Sequence, residues 1–100
     1  MSRFRRQSNY IISIVEGEVC KISEDFTIKS ISSNSRKPNA SHARFMVWYI
    51  LHKKYHMNFT YIGKLYNKHY SSIGYGISRV IGLGLVKQIP RKLLGTKKCR

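Results

Sequence analysis

Seven consecutive residues from Phe45 to Leu51, Phe-Met-Val-Trp-Tyr-Ile-Leu, are apolar or aromatic, and they constrain this chain more than anything else in it. The stretch from Ala40 to about Tyr55 reads as one helix, apolar nearly all round. A helix without a polar face has to be buried on every side, so this one is expected at the centre of the fold. Nowhere does the chain approach the 18 or more apolar residues that a membrane-spanning helix needs. With 100 residues there is length for one domain and one core around that helix.

The remaining periodicities are also helical. Ile11, Ile12, Val15, Val19 and Ile22 recur at the three-and-four spacing of one buried face, with Ser8 or Asn9 as the expected cap and Gly17 as a weak point. Ser23-Glu24-Asp25 reads as a second helix start, with its acids at the positive end of the helix dipole, followed by Phe26, Ile28 and Ile31. Residues 32–39 are polar, aperiodic and contain a proline, so they form a loop. Thr60 is the expected cap of a short helix that points Ile62 and Leu65 inward and ends near Tyr66-Asn67-Lys68. Another helix starts at His69 or Tyr70 and carries Ile73, Ile77, Val80 and Ile81. Two short helices with so brief a break between them suggest a helix-turn-helix. Gly82-Leu83-Gly84 then stops the helix, and Leu85–Ile89 is a candidate short β-strand. The expected fold is an all-α, small helical bundle. Its expected division is a basic flexible arm (1–7), a helical domain (8–81) and a basic C-terminal extension (82–100).

Charge decides the class of partner. Nineteen Lys and Arg against four Asp and Glu leave a formal charge of +15. The four acids, Glu16, Glu18, Glu24 and Asp25, sit within ten residues of one another, so the rest of the chain is almost unopposed cation. For an isolated run of lysines a solvated face is the usual explanation. Fifteen uncompensated charges on so small a chain instead call for a polyanion to relieve their repulsion. Nucleic acid is the expected partner, and no membrane is expected. Two cysteines build neither a disulfide framework nor a zinc site, which fits a reducing, cytoplasmic compartment (nucleoid-associated, or host cytoplasm for a viral protein). The basic start, Met1-Ser2-Arg3-Phe4-Arg5-Arg6, lacks the apolar run of a signal peptide.

Several short motifs, taken in order, resemble a family. Ser35-Arg36-Lys37 is followed by Ala43-Arg44 opening an apolar helix that runs to Tyr49-Ile50-Leu51. Then come Ile62-Gly63-Lys64-Leu65-Tyr66 and Lys68-His69-Tyr70-Ser71-Ser72-Ile73. Over roughly residues 19–81 this is similar to the C-terminal DNA-binding domain (domain IV) of the bacterial replication initiator DnaA. That family reads approximately S-R-K, A-R with an apolar helix, I-G-x-x-F, and R-D-H-T-T-V. The resemblance implies a Trp-repressor-like helical bundle with a helix-turn-helix. It gives Arg36, beside Lys37, the place of an arginine inserted in the minor groove. Arg44 takes the place of a backbone-contacting arginine, and Thr60 that of the cap of the motif's first helix. Lys68 stands for the arginine before the recognition helix. His69, Tyr70, Ser71 and Ser72 stand where the family has Asp, His, Thr and Thr, which read bases and grip phosphate. The chain departs from the family in lacking one residue between Tyr66 and Lys68 and in putting an imidazole where an acid would accept from cytosine. It also has no G-x-x-x-x-G-K-[ST] loop for ATP.

On the basic residues themselves, Lys64 and Arg79 decorate the suspected helix-turn-helix and are expected on phosphates. The expectation is a non-enzymatic, sequence-specific binder of double-stranded DNA, without cofactor or metal, acting in replication or transcription. A second copy of the chain and a replication or transcription protein are further candidate partners. His52 and His56 lack a third ligand, and Ser71, Ser72 and His69 lack the carboxylate of a triad, so surface and capping roles are favoured. Three other readings stay open at this level. One is a winged regulator with Gly84–Leu93 as the wing. The second is an RNA-binding or ribosome-associated basic protein, and the third is a polypeptide that mimics DnaA and competes with it.

Overall fold

The computed structural model describes residues 3–24, 26–32 and 38–90, and among them every regular element is helical. In chain order these are α1 (Arg3–Cys20), α2 (Ile28–Ser32), α3 (Pro38–Tyr55), α4 (Phe59–Tyr66), α5 (Tyr70–Gly82) and a 3₁₀ turn (Leu85–Gln88). The chain is an all-α bundle built around α3, which packs against each of the others. Met46, Val47, Trp48, Tyr49, Ile50 and Leu51 are consecutive and all buried, as a helix apolar on every side requires.

α1 covers α3 with Val15 and Val19, while Phe26 and Ile31 fill the corner below it. α5 turns Ile73, Ile77 and Val80 inward, with Gly76 between them. Gly76 is what lets α5 approach α3 so closely. A Cβ there would lie 2.6 Å from the Phe45 ring and 2.7 Å from Trp48.

One polar tie crosses the bundle from α1. The Tyr66 hydroxyl donates to Glu16 Oε2 at 2.6 Å, beneath a Tyr66 ring set edge-on to Trp48. Burial, then the bond to Glu16, push the tyrosine's pKa far above its ordinary value. Because the folded state holds the proton more tightly, this contribution is complete below an ordinary tyrosine pKa of about 10 and declines in stronger alkali. Tyr66→Phe leaves the Glu16 oxygen without that donor and should cost about 2 kcal/mol in urea unfolding at neutral pH. An unchanged midpoint would mean that water replaces the hydroxyl at no cost.

Several boundaries differ from those expected of the sequence. α1 begins at Arg3, not at a Ser8 or Asn9 cap, so residues 3–7 of the supposed arm are helical. Arginine and glutamine are good helix formers, and no glycine or proline stands in that segment to stop the helix. Ser23 and Glu24 do not start a helix. The Ser23 carbonyl accepts from Phe26 N–H in a turn, and α2 begins at Ile28. Asp25 lies outside the described residues. α4 is capped by Asn58, whose side chain accepts from Tyr61 N–H at 2.7 Å, and Thr60 is already inside the helix. Leu85–Ile89 is no strand. Leu85 and Ile89 are both buried, Val86 is partly so and Lys87 is exposed between them, a pattern served by a helical turn and not by alternation. Gly84, at φ 72°, makes the reversal that delivers them to the core. The packed unit therefore reaches past residue 81 to Ile89.

Candidate nucleic-acid interface

α4 and α5 are joined by three residues, Asn67-Lys68-His69. Asn67 takes the left-handed conformation at φ 57°, and the N–H of Lys68 turns back to the Gly63 carbonyl at 2.7 Å. This is a Schellman-type end, and it turns the chain sharply out of α4. It works only with glycine at 63, because a Cβ there would collide with the Lys68 carbonyl oxygen.

α5 then opens on an unusual cap. His69 has extended backbone, and its Nδ1 accepts from Ser71 N–H at 3.2 Å and lies 2.8 Å from Ser71 Oγ. The Tyr70 ring stacks on the imidazole, with centroids 4.4 Å apart and planes 30° from parallel. His69, Tyr70, Ser71 and Ser72 are all exposed, so the positive end of the α5 dipole faces solvent with its hydroxyls outward.

Beside this helix start lie two open grooves that share Arg44, Phe45 and Tyr75. The first, about 590 Å³, adds Trp48, Lys68, Ser71 and Ser72. The second, about 520 Å³, adds Ser41, His42, Arg79 and Leu83. Together they form a trough between the start of α3 and the length of α5, cationic along its course. Arg44 is only 7% exposed. Its guanidinium carbon stands 5.9 Å from the Phe45 ring centroid, and burial lowers its pKa without approaching neutrality near pH 7. Tyr75 is 61% exposed, and its ring meets Phe45 edge-on at 6.2 Å.

The residues expected from sequence therefore divide. Arg44, Lys68, Ser71, Ser72 and Arg79 converge on the trough, and His69 and Tyr70 stand at its α5 end. Thr60 and Lys64 are exposed on α4 but line neither groove. Arg36 and Lys37 lie outside the described residues. Tyr75, Phe45, Ser41 and His42 also line the grooves and were not among the site residues expected from sequence. A signal for Tyr75 exists in the spacing: Ser71, Ser72, Tyr75, Ser78 and Arg79 form a polar stripe opposite Ile73, Ile77 and Val80.

His52 Nδ1 lies 2.8 Å from the Met57 carbonyl, to which it donates, closing the end of α3, and its ring packs on Phe59 at 4.9 Å. Among the described residues no helix is long and apolar enough to cross a membrane. Compared with known protein families, curated proteins and solved structures, the chain matches none.

Proposed function

We propose that this chain is a sequence-specific, non-enzymatic double-stranded-DNA-binding protein whose α4–turn–α5 unit serves as a helix-turn-helix. In this reading the first turn of α5, with Tyr70 and Ser71, enters the major groove and meets base edges. Arg44, Lys68 and Arg79 hold backbone phosphates from the trough, joined by the Ser72 hydroxyl. Arg36 follows the adjacent minor groove, as the resemblance to DnaA domain IV implies, and regulation of replication or transcription in the cytoplasm is the role it favours. The observation that carries the reading is the convergence of three cations and two helix-opening hydroxyls on one trough, Arg44 buried at its floor and Lys68 and Arg79 nearer solvent, in a chain of net charge +15. The winged alternative loses support, because residues 84–90 hold a 3₁₀ turn and no strand.

The test is binding of random duplex, single-stranded DNA and RNA pools across a salt series. Duplex should win. Six or so phosphate contacts predict a log–log salt slope of about −5. A nearly flat titration, or preference for hairpin RNA, would sink the proposal.

A further inference from the structure

In the resemblance to DnaA, His69 stands where an acid reads a base. The hydrogen bonds around it describe a different role. Ser71 N–H points at Nδ1, so Nδ1 presents its lone pair and carries no proton. The Ser71 hydroxyl, 2.8 Å from the same Nδ1, must then be the donor in that contact. Its proton is turned inward toward the imidazole. Tyr70, stacked on the ring, helps fix the ring plane. What Ser71 presents outward is therefore a pair of oxygen lone pairs and no proton. A serine hydroxyl ordinarily reads donors and acceptors alike, because its proton rotates to suit. This one is polarised.

We infer that His69 is a positioning residue that turns Ser71 into an acceptor-only reader, selecting a base that offers an exocyclic amino group in the major groove. This rests on the DNA-binding reading above. Two bases carry that chemistry there, adenine through N6 and cytosine through N4, whereas thymine and guanine present O4 and O6 to the same edge. An acceptor facing either carbonyl oxygen is repelled, so the discrimination has a sign. The histidine itself touches no base.

The experiment selects duplexes from a random pool with the full chain and with Ser71→Ala and His69→Asn. The position read by Ser71 is the one whose preference disappears in Ser71→Ala, and it should carry adenine or cytosine. Replacing adenine there by purine, or cytosine by 2-pyrimidinone, removes only the amino group and shows which base supplies it. The analogue should weaken the parent about five- to tenfold, the lower end for a base-specific contact, and leave Ser71→Ala unmoved. Asparagine at 69 still caps α5, as Asn58 caps α4, but no longer holds the hydroxyl proton in the same place. His69→Asn should therefore keep its fold while accepting thymine or guanine at that position. The inference is overturned if Ser71→Ala changes no position, if the position it changes carries thymine or guanine, or if His69→Asn retains the parental preference. Failure of the parent to bind any duplex would instead remove the DNA-binding reading on which it stands.

Discussion

One methyl group at position 63 should cost this protein about 3 kcal/mol. In an exposed helix Gly→Ala is normally favourable by up to about 1 kcal/mol, because alanine loses less backbone entropy on folding. Gly63 is buried, and the atom facing it is the Lys68 carbonyl oxygen, with the Lys68 and His69 carbonyl carbons 3.5 and 3.6 Å away. None of these is the tip of a side chain that can swing aside. They belong to the turn, and Lys68 N–H is tied to the carbonyl of Gly63 itself. Relief requires the whole α4–α5 corner to open, so the strain belongs at the upper end of overpacking costs. For a domain this size, about 3 kcal/mol lowers Tm by roughly 15 °C. Gly17→Ala is the matched control, since a Cβ there meets nothing within 4 Å. It should raise Tm slightly. A Gly63→Ala protein that melts with the Gly17→Ala protein would show that the corner yields freely and does not set the direction of α5.

What could be read in advance follows from how local each determinant is. The α3 core was legible because seven apolar residues in succession leave a helix no solvent face, whatever surrounds it. The α5 stripe was legible at Ile73, Ile77 and Val80. At Ile81 it was not, since that side chain is 59% exposed while Gly76, with no side chain to signal burial, occupies the contact with α3. Caps were harder because Asn58 and Thr60 are both competent, and the choice between them depends on where the chain leaves α3 through His56, at φ 57°. Leu85–Ile89 misled for a related reason. A short apolar run suits a strand or a helical turn, and here the exposure of Lys87 between buried Leu85 and Ile89, with Val86 part-buried, breaks the alternation a strand would need. In the candidate site, Lys68, Ser71 and Ser72 were accessible to reasoning because they adjoin in sequence. The trough itself was not, because Ser41, His42, Arg44 and Phe45 come from another helix, and only packing at Gly76 brings them beside Tyr75.

Removing two cations from the trough should act on every duplex alike. Lys68 lies in the turn before α5 and lines the first groove, and Arg79 lines the second, on either side of Tyr75. If both hold phosphate, Lys68→Ala with Arg79→Ala releases two fewer counterions on binding. The salt slope should become shallower by about 1.8. At low salt, duplex affinity should fall roughly a hundredfold, from loss of two charge-assisted contacts of about 1.4 kcal/mol each. The preferred sequence should stay the same, because phosphate contacts position the protein without reading bases. The opposite signature is expected of His69→Asp with Tyr70→His and Ser71→Thr, which puts the DnaA-type residues into the first turn of α5. That triple variant should change which duplex is selected, and should lose a little non-specific affinity through the added acid. Lys64→Ala provides the contrast, since Lys64 is exposed on α4 and lines neither groove. Its effect on the slope should stay below one contact's worth. Selections and salt titrations on the three proteins separate grip from readout. Were the double variant to alter sequence preference while the triple variant kept it, α5 would not be the element in the groove, and the trough would lie on a face turned away from DNA.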